Sequence, residues 1–514
     1  MEVILDGESL TIEKLAEVAR RGARVSVSDA ARAKMKKSRD FLEKCIADDI
    51  AIYGVTTGIG EFARIRISPE QSAELSKRIV YSHSAGTGVP QPIDVVRGAM
   101  TCRANTLAKG YSGVRRECID VVLNMINKGV TPCVQEKGSV GTSGDLSPLS
   151  QFAEVAIGEG RAYYKGELMP GGEAMKKAGI EPIKLTYKEG LGLINGSQMM
   201  TSGAALLIHD SERILKNACI AYAMALDALK AVERAYHPDV HRIRPHRGQN
   251  VVAANLLRLF AGSEIMADKS GKVQDGYSMR CTPQILGPSL EILEFARGVI
   301  ETEMNSGADN PLFFGEEQQY YAAGNFHGQG IGLAVDYLCC GMSEVANLSE
   351  RHSNRMLNPV LSGLPDFLVE GKGLNSGLMV AQYTAAALVS ENKVLSHPAS
   401  VDSISVSADQ EDHVSMGPIA VRKCTEILKN VQTVLAIEMM CAAQAMDFRK
   451  GKKPGKGTGI AYKLIREKVA FLEDDRVLWP DIEAIRQLVA ENTILDAVEK
   501  EVGSLMLARD WQAK

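Results

Sequence analysis

Apolar positions along this chain recur every three to four residues far more often than every two. From about Asp29 to Asp48, and again from Glu70 to Ser84, they alternate with polar ones at helical spacing, which predicts two amphipathic helices. No proline interrupts the stretch between Pro418 and Pro454. There Ala420, Cys424, Ile427, Leu428, Val431, Leu435, Met439 and Ala442 keep the same period, which predicts one long helix. A second proline-free stretch, Ser376 to His397, carries Met379, Tyr383, Ala386, Leu388 and Val394 among small residues that let helices approach closely in a buried bundle. Strand signals are few: Arg161 to Met169 reads as a short hairpin turning at Lys165 and Gly166. The basic run Arg449 to Gly457, with Gly and Pro, reads as a solvated loop. No repeat of fixed period and no low-complexity linker divides the chain into independent domains.

Composition supports the helical reading. Aromatic residues make up only 5% of the chain, and Ala, Leu, Met, Glu and Lys are frequent. A net charge of −4 provides no field for nucleic acid. The opening MEVILDGESL lacks a basic segment followed by an apolar run, so no signal peptide is read, and no apolar stretch reaches membrane-spanning length. Ten cysteines without secretory features suggest reduced thiols in a cytoplasm. Without paired C-x-x-C spacing they do not suggest structural zinc.

The stretch GSVGTSGDLSPLS carries the most specific chemistry, at Gly141 to Asp145. Gly, Ser and Asp clusters are ordinary turn material. In a tight loop, however, the amide nitrogen of Gly144 can be pressed onto the carbonyl carbon of Thr142, because glycine has no Cβ to block the bend. Ring closure with loss of water, then loss of water across the Ser143 side chain, leaves an exocyclic methylidene on an imidazolone ring. That group is an electrophile, which no unmodified side chain supplies.

GSVGTSGDLSPLS resembles the prosthetic-group loop of the aromatic amino acid lyase family, whose members act on histidine, phenylalanine or tyrosine. Thr142 stands where the family usually has alanine. Other segments extend the likeness over nearly the whole chain. IYGVTTGIG keeps Tyr53, Gly54, Thr57, Gly58 and Gly60 of the family's catalytic loop, with Thr56 and Ile59 in place of the usual Asn and Phe. Its tyrosine is the family's catalytic base, and its glycines fit a lid that closes over substrate. QDGYSMRC resembles the family segment whose arginine, here Arg280, holds the substrate carboxylate with a planar fork, while Gln274 and Tyr277 line the site. Asn195 in GLINGSQ resembles the asparagine beside the prosthetic ring, and Phe326 in GNFHGQ an aromatic packed against it. ETEMNSGADNP, from Glu301 to Pro311, matches scaffold.

Two positions bear on substrate. Ser82 and His83 follow the pattern of the histidine-acting members, which some tyrosine aminomutases share. The run from Leu388 to Gly417 resembles those members more closely still. Its Glu411 matches a glutamate facing the substrate imidazole, where a carboxylate accepts an N–H. Glu411 and Asp412 also suit the start of a following helix. Met379 matches a position lining the side-chain pocket.

The resemblance implies an all-α fold with long near-parallel helices in a central bundle and few short strands. It implies one lyase unit over residues 1–514, with the ring-forming loop and the Tyr53 lid in about 1–200 and the long helices in about 201–514. It implies elimination of ammonia from L-histidine to give trans-urocanate, by a 4-methylidene-imidazol-5-one (MIO) formed from Thr142, Ser143 and Gly144, without metal or diffusible cofactor. The implied assembly is a cytoplasmic homotetramer whose sites draw on more than one subunit, with no nucleic-acid or membrane partner. A tyrosine or phenylalanine lyase, a 2,3-aminomutase, which shares the Thr142 replacement, and an inactive scaffold of the same fold are the alternatives.

Overall fold

A computed structural model of the protein describes residues 1–142, 144–267 and 272–512. The fold is all-α with a few short strands, as the periodicity and the family likeness predict. The expected helices occur at Asp29–Ala47, Pro69–His83 and Met379–Leu395. The Ser28 hydroxyl accepts the Ala31 N–H and so caps the first of them. The hairpin is present, with strands Arg161–Tyr164 and Glu167–Pro170, and Lys165 adopts a left-handed φ of 51° at its turn.

Two expectations are corrected. The helix expected up to Pro454 spans Gly417–Asp447 and then turns, with Gly451 at φ 78°. A proline-free stretch permits a helix but does not require one. The run Arg449–Gly457 is not simply a solvated loop, because its ends are docked. Arg449 donates from Nε to the Ala228 carbonyl (2.9 Å) and from Nη2 to the Ser362 carbonyl (3.0 Å), and the Gly455 N–H donates to Asp227 (2.9 Å). A parallel strand pair, Glu2–Leu5 with Arg24–Val27, was too short to stand out in the sequence.

The chain forms two compact units. One comprises residues 1–209, 297–336 and 398–422. Within it the helices Pro69–His83, Leu146–Ala156 and Glu189–Ile194 pack against one another. Each presents an end to the same place: the first ends at His83, the second starts just after Gly144 and Asp145, and the third is closed by Asn195.

The other unit comprises residues 210–296, 337–397 and 423–514. From Ile214 to Ala228 most side chains are fully buried and many are alanine, the pattern of a helix enclosed on all sides. Buried hydroxyls bond across from helix to helix: Tyr222 donates to the Val345 carbonyl (2.6 Å), Ser289 to Gly341 (2.8 Å) and Ser349 to Val434 (3.3 Å). Among the described residues no helix is long and apolar enough to cross a membrane, and no group of His, Cys, Asp or Glu is placed to hold a metal ion.

Candidate active site

The loop expected to cyclise is clamped from several sides. The Ser139 hydroxyl accepts the Gly141 N–H (3.1 Å) and donates to the Asp145 carboxylate (3.0 Å). The Gly141 carbonyl accepts the Gly328 N–H (3.0 Å) and the Ser415 hydroxyl (2.8 Å). Gly144 has φ 69° and bridges to Gly196. A Cβ on it would lie 2.0 Å from the carbonyl carbon and oxygen of Gly196, so the backbone approach excludes any larger residue. Ser143 lies outside the described residues.

Asp145, 1% exposed, accepts the Met200 N–H (2.8 Å) and continues the chain into the helix Leu146–Ala156. Burial pushes its carboxyl up to about 6 against these hydrogen bonds. The departure at Thr142 has a physical account: its Oγ1 accepts the Ser415 N–H at 3.2 Å, a tie that alanine would not make.

A cavity of about 390 Å³ opens beside this loop, within the ~300–1,000 Å³ typical of small-molecule sites. It is lined by Tyr53, His83, Asn195 and Glu411, with Leu146, Leu191, Ile59 and the turns at Gly60–Phe62 and Ser407–Ala408. Five segments distant in sequence therefore converge in one unit.

Tyr53 is held by a loop that its two threonines stiffen. Thr56 Oγ1 accepts the Ile52 N–H (2.8 Å) and donates to the Ile50 carbonyl (2.8 Å), so the replacement of the usual Asn leaves the loop bonded. Ile52 and Val55 anchor it in an apolar cluster with Phe41, Leu42 and Phe313. The Tyr53 hydroxyl accepts the Gly60 N–H (2.9 Å). Burial holds this phenol above its ordinary value, the Gly60 N–H opposes the shift and the charge of Glu411 adds to it. The turn meets the 405–411 loop directly. Gln410 donates to Glu61 (3.2 Å), and a Cβ on Gly60 would lie 2.9 Å from Ser407 Oγ.

His83 ends its helix with Nδ1 2.8 Å from the Ile79 carbonyl. A carbonyl only accepts, so Nδ1 carries the proton and Nε2 of the neutral ring is an acceptor. Burial keeps the imidazole below its ordinary value, although Glu411 pulls the other way. Glu411 is half-buried, and its backbone pairs with Val406 across a turn in which Ser407, Ala408 and Asp409 are all left-handed. The next helix starts only at Gly417, so Glu411 and Asp412 are not part of its first turn.

Asn195 is 4% exposed, and its Oδ1 has no hydrogen-bond partner among the described residues. A buried unpaired amide oxygen on a cavity wall is costly unless a ligand donates to it. Sequence reasoning missed Arg103, which fixes the Asn195 turn. Fully buried, it donates to the Gly192 carbonyl (2.9 Å), the Asn195 carbonyl (2.7 Å) and Gln198 Oε1 (2.9 Å). Its partners lie about ninety residues away, so no local motif marks it.

The remaining predicted residues do not line this cavity. Phe326 is half-buried in the turn that leads to Gly328. Gln274, Tyr277, Arg280 and Met379 belong to the other unit. Three of them cluster there: Arg280 donates to Gln274 and lies 4.9 Å over the Tyr277 ring. Its Nε is buried without a partner among the described residues. Met379 is the first residue of its helix.

A sequence profile described as aromatic amino acid lyase matches residues 10–467. The histidine ammonia-lyase of Alkaliphilus oremlandii is 48% identical over 502 residues, 98% of this chain and 99% of that one. Among solved structures, histidine ammonia-lyase from Trypanosoma cruzi superposes with a TM-score of 0.90 at 40% identity, covering 97% of this chain and 95% of the other. Tyrosine aminomutase from Streptomyces globisporus superposes with a TM-score of 0.93 at 36% identity over the full length of both.

Proposed function

Because this chain belongs to the aromatic amino acid lyase family, we propose that it eliminates ammonia from L-histidine to give trans-urocanate, with residues 1–514 acting as one lyase unit. The observation that carries this reading is the meeting of His83 and Glu411 in one cavity with Tyr53 and Asn195. An imidazole offers an N–H to a carboxylate. A phenyl ring offers the half-buried Glu411 carboxylate no such N–H.

The residues present fit the prosthetic group: only glycine fits at 144, where the left-handed backbone lies against Gly196, and the buried Asn195 Oδ1 has no partner among the described residues. When formed from Thr142, Ser143 and Gly144, MIO supplies the electrophile that makes the substrate amine a leaving group. Tyr53 takes the β-proton, and the Gly60 N–H stabilises its phenolate. Arg280 holds the substrate carboxylate, with Gln274 and Tyr277 at its side. Phe326 and Met379 flank the rings. A cytoplasmic homotetramer, in which a second copy brings the Arg280 cluster to each cavity, completes the proposal.

Incubation with several aromatic amino acids tests it. Histidine is expected to yield urocanate absorbance. Cinnamate or coumarate as the main product, or a β-amino acid of the kind the aminomutase likeness allows, would overturn the substrate or the outcome. Glu411→Gln is expected to lower kcat/KM for histidine about 10- to 100-fold, the worth of one charged hydrogen bond, with the melting temperature unchanged. Undiminished use of histidine by this variant would remove the imidazole-pocket argument.

A further inference from the structure

Arg280 stands on a helix of only four residues, Tyr277–Arg280. It leads through Cys281 into the helix Thr282–Met304, and side chains grip its carbonyls: Tyr236 donates to Met279 (2.9 Å) and Thr282 to Ser278 (2.9 Å). Ser278, the second residue of that turn, is tied to a buried pair that the reaction does not otherwise use. His352 Nε2 lies 2.7 Å from the Ser278 carbonyl, and His352 Nδ1 lies 2.7 Å from Glu438 Oε1. Both side chains are fully buried, and the Tyr222 ring meets the imidazole edge-on at 5.0 Å.

The Ser278 carbonyl only accepts, so Nε2 carries a proton. The carboxylate on Nδ1 then sets the ring's plane and its direction of donation. Burial raises the Glu438 carboxyl and the neighbouring imidazole opposes that rise. An apolar pair of similar volume would fill this space without the desolvation cost. It would not supply a directed N–H to the Ser278 carbonyl.

We propose that His352, oriented by Glu438, is a positioning residue for substrate recognition: it fixes the turn that carries Arg280 and so aims the guanidinium at the α-carboxylate. This rests on the reading that Arg280 binds that carboxylate. It assigns the pair no proton transfer.

The test compares the full-length wild type with His352→Leu, His352→Gln and Glu438→Gln. The readouts are kinetics with L-histidine and competitive inhibition by histamine, which keeps the imidazole and amine but lacks the carboxylate. For His352→Leu, KM is expected to rise about 10- to 100-fold with kcat nearly unchanged and histamine inhibition unaltered, because only the carboxylate contact is misaimed. His352→Gln, which keeps a donor for Ser278, is expected to recover most of the affinity.

If His352→Leu does not fold, Glu438→Gln carries the test, with the same split at smaller amplitude. A folded variant with unchanged KM, or one in which histamine affinity falls in step with KM, overturns the proposal. A wild type that yields no urocanate overturns the histidine reading instead. His352 is then tested in the same way with the amino acid that is deaminated and the amine lacking its carboxylate. A wild type whose ligand binding never depends on a carboxylate overturns both.

Discussion

Ser143→Ala is expected to abolish release of urocanate while leaving the melting temperature and the assembly of the protein as in wild type. The wild-type chain should be lighter than its sequence by about 36 Da, the mass of two waters, and the variant should keep its full encoded mass or lose only one water. The substitution keeps the Cβ as an inert methyl and removes only the hydroxyl whose loss as water would make the methylidene. The bonds that hold the flanking residues come from elsewhere: from Ser139 and Ser415, from the Gly328 amide, and from the Gly144–Gly196 contact. The loop therefore has its geometry without the chemistry. Intact mass also decides the inactive-scaffold alternative, since a wild-type chain of unmodified mass would remove the lyase reading at its root. Residual turnover by the variant would show that the electrophile comes from another group.

Tyr53→Phe is the second large effect, expected to lower kcat about 10²- to 10⁴-fold, the usual worth of a positioned general base. Its signature lies in the pH profile. Burial and the nearby Glu411 charge hold the free phenol above its ordinary value, so the ionised fraction is small at neutral pH and grows as pH rises. The contribution of Tyr53 to kcat/KM therefore increases with pH through the alkaline range, and the variant should lose it. A variant whose kcat and alkaline rise match those of wild type would exclude Tyr53 as the base.

Much of this was legible in the sequence because it was written locally. Helix positions followed from apolar spacing, and the glycines, Tyr53, Asn195 and Arg280 stood in short motifs. The residues that escaped notice act across long separations. Arg103 grips a turn about ninety residues away, and Ser415 holds Gly141 and Thr142 from 274 and 273 residues away. Neither has a side chain whose type or spacing marks it, because its role depends on where the fold delivers its partners. The end of the helix at Asp447 was missed for a related reason. The chain leaves the helix there to dock Arg449 and Gly455 on distant carbonyl and carboxylate groups, four residues ahead of Gly451.

The bond between Thr142 and Ser415 bears on how such an enzyme changes its diet. Ser415 lies four residues beyond Glu411 in one continuous strip of chain, so in the proposed function the strip that faces the substrate ring also grips Thr142, the first of the three residues that would form MIO. Grafting that strip from a relative with another preference would carry a foreign clasp onto the maturing loop. Retargeting is then expected to succeed more readily by single exchanges at position 411 or 83 than by transplanting the strip whole, and the fraction of dehydrated chains in a graft would measure the penalty.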